Sequence, residues 1–293
     1  KEPGANGEPL LLDVQSALYR HKNRPLVVGG RYRLGSKDVP PNQIKAVFDH
    51  LLLPEEEIKD RFTIGINDDV THLSLPLGDV LDLTPKGTFQ GKFWGFGSDG
   101  TVGANKQAIK IIGGHTDRYA QAYFSYDSKK SGGLTVSHLR FGEEPITSTY
   151  LIEEADFIGC HNAAYIHQYD LLKGLKKGGT FLLNTTWTTE RVLKLLPKHL
   201  KKELAEKEIN FYIVNAMKIA QDVGLGRRIN TVMSTAFFEL TDLLPRESFV
   251  GYLKEEVEHA YGKKSQEIVR RNYLAIDATF ENLTKVPVPN EWQ

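Results

Sequence analysis

An α/β fold, a largely parallel sheet covered by helices, is the architecture that this 293-residue sequence predicts. Three observations carry the expectation. From residue 89 onward strand-like and helix-like segments alternate, as they do where parallel strands are joined by helical crossovers. A glycine-rich stretch, Gly95-Phe96-Gly97-Ser98-Asp99-Gly100, separates an apolar β-like run from a helix-like one. Apolar strands turn repeatedly through glycine into helix, which sets ligand sites at the carboxyl ends of strands.

The chain opens with Pro3, Gly4, Gly7 and Pro9, then a helical stretch over residues 11–21. Pro25-Leu26-Val27-Val28-Gly29-Gly30 reads as a short buried strand ending in a glycine turn. Pro40 and Pro41 suit a helix start, and Ile44, Val47, Phe48, Leu51 and Leu52 follow at helical spacing. Phe62-Thr63-Ile64-Gly65-Ile66 reads as another strand. Residues 72–87 hold prolines and no clear period, and a domain junction is expected there. Beyond it, strands are expected at 89–95, 119–125, 134–140, 156–160, 180–184 and 210–214. Helices are expected at 101–113, 164–174, 188–196, 199–207 and 215–222, and then at 228–241, 246–260 and 263–283.

Composition narrows the function. Lysine plus arginine balances aspartate plus glutamate at 37 each, so no global field recruits nucleic acid or an acidic membrane. No apolar run is long enough to span a bilayer, and no signal peptide is visible. A cytoplasmic location is expected. The first residue is Lys rather than Met, which suits a segment of a longer chain or a processed product, and any upstream targeting sequence would be hidden. Cys160 is the sole cysteine, so this chain forms no internal disulfide and holds no iron–sulfur cluster.

Gly95, Gly97 and Gly100 fit the G-x-G-x-x-G pattern at a strand-to-helix turn. Glycine lets the backbone approach an anion closely, and the free N–H groups of the helix start then point at it. Lys106 adds a formal positive charge, so the loop suits a phosphate or pyrophosphate. The competing reading is a turn shaped only for tight packing. A nicotinamide or flavin site wants an acidic residue about twenty positions on. Asp127 is the candidate, but it arrives late and is followed by Lys129 and Lys130. The Walker loop fits poorly, because no Ser or Thr follows Lys106.

The run Phe93-Trp94-Gly95-Phe96-Gly97-Ser98-Asp99-Gly100-Thr101-Val102-Gly103-Ala104-Asn105-Lys106 resembles the pyruvate:ferredoxin (flavodoxin) oxidoreductase family. So do Tyr126-Asp127-Ser128-Lys129-Lys130-Ser131-Gly132-Gly133 and Val136-Ser137-His138-Leu139-Arg140-Phe141-Gly142. Shorter matches are Lys1-Glu2-Pro3-Gly4-Ala5, Gly30-Arg31-Tyr32, Asp68-Asp69-Val70-Thr71, Gly224-Leu225-Gly226-Arg227-Arg228-Ile229-Asn230 and Tyr261-Gly262-Lys263-Lys264.

The resemblance implies the middle of a long modular chain. Residues 1–85 would be the C-terminal part of a transketolase C-terminal-like domain, and 86–293 a gamma-type, Rossmann-like domain implicated in coenzyme A binding. Carried over by motif, the coenzyme contacts would be Gly97, Ser98, Asp99, Gly100, Val102, Gly103, Asn105 and Lys106. No catalytic residue and no metal ligand falls in this segment. Thiamine diphosphate, Mg and [4Fe-4S] clusters would belong to other parts of the parent enzyme. That enzyme would oxidatively decarboxylate pyruvate to acetyl-CoA and pass electrons to ferredoxin or flavodoxin. Its implied partners are the other domains of the parent chain and a second copy in a homodimer. The residues leave two other readings open: a NAD(P)- or flavin-binding Rossmann module, and a non-catalytic structural linker.

Other features compete with plainer explanations. Ser128-Lys129-Lys130-Ser131-Gly132-Gly133 touches a phosphate, faces a partner domain, or is a solvated turn. Gly224-Leu225-Gly226-Arg227-Arg228-Ile229-Asn230 is a second glycine-rich helix start, with two arginines able to fork onto phosphate oxygens, or else a cap between helices. His161 and His167 lack a completing ligand set. Cys160 and His161 point apart as strand neighbours, and Cys160 reads as a buried small hydrophobe. Ser98 is no nucleophile elbow, because Phe96 stands where that motif needs glycine. The chain departs from the family pattern twice: Ala163 replaces a proline, and Asn184-Thr185-Thr186-Trp187 lacks another. Each loss frees φ and adds a backbone donor at the rim of a strand-to-helix loop.

Overall fold

The computed structural model describes residues 6–32, 37–67, 70–97, 99–126 and 133–292. The chain divides into two compact units, residues 1–83 with 148–151, and residues 84–147 with 152–293.

In the first unit α1 (Pro9–Leu18) and α2 (Pro41–Leu51) accompany two parallel strands, β1 (Gly29–Tyr32) and β2 (Arg61–Ile64). Proline heads both helices, where its missing N–H costs nothing. The strand expected at 25–30 begins only at Gly29, since residues 29–32 are those that find a partner in β2. Phe62, Ile64, Ala46 and Leu75 make a small core. Leu151 N–H bonds Asp38 Oδ2 at 2.7 Å, tying the returning segment 148–151 to this unit.

The second unit is built on a seven-stranded sheet. Its strands are β3 (Phe89–Phe96), β4 (Tyr119–Tyr126), β5 (Leu134–Gly142), β6 (Ala155–Cys160), β7 (Leu175–Asn184), β8 (Asn210–Val214) and β9 (Thr284–Lys285), in the order β4-β5-β3-β6-β7-β8-β9. β3, β6, β7 and β8 are mutually parallel, whereas β5 pairs antiparallel with both β3 and β4, and β9 antiparallel with β8. The parallel centre is as expected. Alternate residues face opposite sides, and both sides are covered. Phe157 and Leu182 enter one core with α3 (Thr101–His115), α6 (Ala216–Asp222), α7 (Asn230–Thr241), α8 (Arg246–Tyr261) and α9 (Gln266–Asn282). Ile158, Phe181 and Leu183 enter the other with α4 (Thr189–Leu195) and α5 (Lys198–Glu206).

Two expectations are corrected. The helix expected at 164–174 is a single 3₁₀ turn, Ala163–His167. Downstream of it the carbonyls serve strands instead of a helical ladder: Gly174 O accepts Ala155 N–H and Lys173 O accepts Lys92 Nζ, both at 2.7 Å. β7 also starts at Leu175 rather than 180, through a register shift opposite Ala155–Phe157, and Gly178 at φ +75° absorbs the bulge.

α7 is buried almost all round, and its hydroxyls are accordingly paired. Thr231 donates to Asn272 Oδ1 at 2.6 Å, Thr235 to Thr231 O at 2.8 Å and Ser234 to Gln107 Oε1 at 3.1 Å. The bonds to Asn272 and Gln107 tie α7 to α9 and α3, and the bond to Thr231 O stays within α7.

Candidate functional site

A cleft of about 750 Å³ opens where the parallel strands end. Phe96 closes β3, His161 and Asn162 follow β6, Asn184 closes β7 with Thr185 to Trp187 after it, and Asn215 follows β8. Arg227 and Ile229, from the loop ahead of α7, complete the lining. Crevices beyond the carboxyl ends of parallel strands are where open α/β sheets bind ligands.

Polar side chains on these loops are turned onto the backbone and fix its path. Asn184 Nδ2 donates to His161 O at 2.9 Å, and its Oδ1 accepts Ala216 N–H at 3.0 Å. Asn162 Oδ1 accepts Ala164 N–H and Asn215 Oδ1 accepts Lys218 N–H, so each asparagine caps the element that follows. Ala163 and Thr186, the two positions where the resemblance leads to an expected proline, lie on this lining. Apolar surface comes from Phe96, Trp187 and Met217. Such surface suits a planar ring or an alkyl chain.

Gly100 caps α3 at φ +91°, a conformation few L-residues tolerate. A Cβ placed there would lie 3.5 Å from Asn230 Cβ, so the starts of α3 and α7 stand side by side. The two glycine motifs that the sequence presents separately thus meet at one place. Thr101 N–H is taken by Asp99 Oδ1 at 2.9 Å, and Ala104 N–H bonds Gly100 O. The N–H groups of Val102 and Gly103 precede any helical acceptor and are the open donors of α3.

Of the eight residues nominated from the sequence, Asp99 lines the cleft. Gly97, Gly100, Val102 and Gly103 sit around the adjoining turn. Asn105 is buried with its Nδ2 unpaired among the described residues, and Lys106 Nζ lies 5.8 Å over the Phe124 ring, on the β4 side of α3. Ser98, Asp127 and residues 128–132 fall outside the described residues, as do residues 1–5, Asp68 and Asp69. Phe96, Asn162, Asn215 and Met217 also line the cleft and were not singled out as site residues from the sequence, although Phe96 lies within the glycine-rich run.

His161 is buried, and burial lowers its pKa to about 4 against the opposing charge of Asp99, so its imidazole is neutral. Cys160 faces the other way, as expected of its neighbour. Its Sγ bonds Asn162 O, and burial pushes the thiol up to about 12, which makes it a packing residue and not a nucleophile. Among the described residues no cluster of histidine, cysteine and carboxylate side chains suits a metal. No helix among them is long and apolar enough to cross a membrane.

The family model described as pyruvate ferredoxin/flavodoxin oxidoreductase matches residues 90–282. The chain belongs to that family. It is 53% identical over 292 residues to the pyruvate:ferredoxin oxidoreductase of Moorella thermoacetica, and 56% identical over 294 residues to the pyruvate-flavodoxin oxidoreductase of Enterobacter agglomerans. Each match takes in 100% of this chain and 25% of the relative, so the chain spans about a quarter of the curated relatives' length. The fold is matched by the crystal structure of a pyruvate oxidoreductase subunit from Thermotoga maritima. That structure has a TM-score of 0.55 at 20% identity, over 68% of this chain and 99% of that subunit.

Proposed function

We propose that this chain is the coenzyme A-binding section of a pyruvate:ferredoxin or pyruvate:flavodoxin oxidoreductase, with residues 1–85 the end of its transketolase C-terminal-like domain and 86–293 its gamma-type domain. The observation that carries this reading is the meeting of two glycine-rich helix starts, at Gly100 and Asn230, beside a cleft that Arg227 lines. Coenzyme A bears a pyrophosphate and a 3′-phosphate, which open helix N–H groups and a guanidinium suit. Its adenine and pantetheine arm suit the faces of Phe96, Trp187 and Met217. Gly97, Ser98, Asp99, Gly100, Val102, Gly103, Asn105 and Lys106 are the loop's candidate contacts. The cleft's volume lies within the range that accommodates ligands of this order.

This section takes no part in the chemical steps on its own. Pyruvate oxidation, thiamine diphosphate, Mg and the iron–sulfur clusters belong to the rest of the parent enzyme, which works as a homodimer with ferredoxin or flavodoxin as acceptor. Relatives named for ferredoxin and for flavodoxin match this chain about equally well, which supports a choice of acceptor made elsewhere in the parent enzyme.

The dinucleotide alternative asks for an acidic residue at the end of the strand parallel to and beside β3. That strand is β6, which ends at Cys160 and is followed by His161, neither of them acidic. β4, which leads toward Asp127, lies two strands from β3 with antiparallel β5 between them.

Calorimetric titration with coenzyme A, dephospho-coenzyme A and NADH, with Arg227→Ala and Lys106→Ala variants alongside, tests the proposal. Coenzyme A is expected to bind, NADH to give no heat, and Arg227→Ala to weaken binding. NADH binding without coenzyme A binding would overturn the reading.

A further inference from the structure

Three side chains at the cleft form one hydrogen-bonded row. Asp99 accepts through both oxygens: Oδ2 from Phe96 N–H at 2.7 Å, and Oδ1 from Thr101 N–H at 2.9 Å. The Thr101 hydroxyl lies 2.6 Å from that same Oδ1 and 2.8 Å from His161 Nδ1. A hydroxyl has one proton to give. Asp99, accepting on each oxygen, supplies none, so the Thr101 proton goes to Oδ1. Thr101 Oγ1 then offers His161 a lone pair, and Nδ1 must carry the imidazole proton. Nε2 is left bare. Thr101 and His161 are only 1% and 5% exposed, so water does not compete for this row.

We propose that His161 is a ligand-binding residue whose Nε2, fixed as an acceptor by Asp99 through Thr101, receives a hydrogen bond from an N–H or O–H group of the molecule in the cleft. The proposal rests on the coenzyme A reading and adds which chemistry meets this wall. A phosphate oxygen has no proton for Nε2 and is repelled by the Asp99 carboxylate, so anionic groups pair with Arg227 instead. The group at His161 is a neutral donor: an amide N–H, a hydroxyl or an exocyclic amine. Asp99 and Thr101 are positioning residues. Burial keeps the imidazole neutral through the physiological range, which preserves the lone pair.

The test is nitrogen-15 NMR of the His161 ring in the whole chain, free and with coenzyme A, in the unmodified protein and in Thr101→Val and Thr101→Ser. Near pH 7 the free chain is expected to show the proton on Nδ1 and a bare Nε2. Thr101→Ser keeps this tautomer and Thr101→Val loses it. Added coenzyme A shifts Nε2 to a hydrogen-bonded position, and Thr101→Val weakens binding about three- to tenfold, the loss of one oriented hydrogen bond, while Thr101→Ser does not. A proton on Nε2 in the free unmodified chain overturns the proposal without reference to any variant. So does coenzyme A that moves the Trp187 indole but leaves Nε2 unmoved. If coenzyme A moves no cleft resonance, the coenzyme reading fails and the donor contact falls with it. The tautomer of the free chain tells that failure apart from a failed relay.

Discussion

Asn184 bridges two loops of the cleft, donating through Nδ2 to His161 O at 2.9 Å and accepting Ala216 N–H on Oδ1 at 3.0 Å. One side chain at the end of β7 thus fixes the loop after β6 and the first residue of α6. Asn184→Ala leaves a carbonyl and an amide unpaired, and is expected to cost about 1–3 kcal/mol. Asn184→Asp keeps the acceptor and loses the donor, so it should fall between. Denaturant unfolding of the three proteins checks the order.

Gly95 lies where β3 passes the start of α3, and a Cβ there would sit 2.0 Å from Thr101 Oγ1 and 2.5 Å from Thr101 Cβ. Gly95→Ala must therefore push Thr101 away from Asp99 and His161. A loss of about 1–3 kcal/mol is expected from the overpacking, together with weaker coenzyme A binding. Thermal unfolding and calorimetry read the two effects separately.

How much of this was legible in the sequence follows from which features are local. Glycines near an apolar run mark the 95–106 turn, and the start of α3 at Thr101 falls where the motif put it. The helix expected from 263 starts at Gln266, because Ser265 caps it by accepting Ile268 N–H on its side chain. The cleft was not readable, because His161, Asn184, Asn215 and Arg227 come from four loops that only strand order brings together. Nor was the missing helix after β6, since the carbonyls that break it are claimed by Lys92 and Ala155, which belong to strands β3 and β6.

Acid should unfold the chain through two buried histidines. His138 is held to a pKa of about 3, by burial first and then by the charges of Lys92 and Arg140, and His161 is held to about 4. Both lie below the value of 6.5 expected when unfolded, so the unfolded state binds more protons and stability falls as pH drops below 6.5. The fall continues to about pH 4 for His161 and about pH 3 for His138. Each contributes a slope of up to about 1.4 kcal/mol per pH unit. Urea titrations from pH 7 to 4 check this, and His161→Gln should reduce the slope.

Lys92 is buried on β3 with its Nζ on Lys173 O at 2.7 Å. Burial lowers its pKa to about 8, against the attraction of Glu153. The unfolded lysine holds its proton up to about 10.5, so between pH 8 and 10.5 the native state binds fewer protons and gains stability as pH rises. Lys92→Met removes that gain. At pH 7 it should be neutral or stabilising by about 1–3 kcal/mol, because the desolvation of the ammonium outweighs one hydrogen bond. Paired unfolding curves at pH 7 and 10 decide it.

Arg227 is exposed and lines the cleft, so Arg227→Ala should leave stability within about 0.5 kcal/mol. Its loss should weaken coenzyme A binding by about tenfold, the effect of one charge-assisted contact. Equal weakening of NADH and coenzyme A would show a charge effect without specificity.

A crystal structure of this chain grown with coenzyme A tests the central claim most directly. Density is expected in the cleft beyond β3, β6, β7 and β8, with phosphate groups on Arg227 and a donor group on His161 Nε2. Coenzyme A bound away from Asp99, His161 and Arg227 would contradict it.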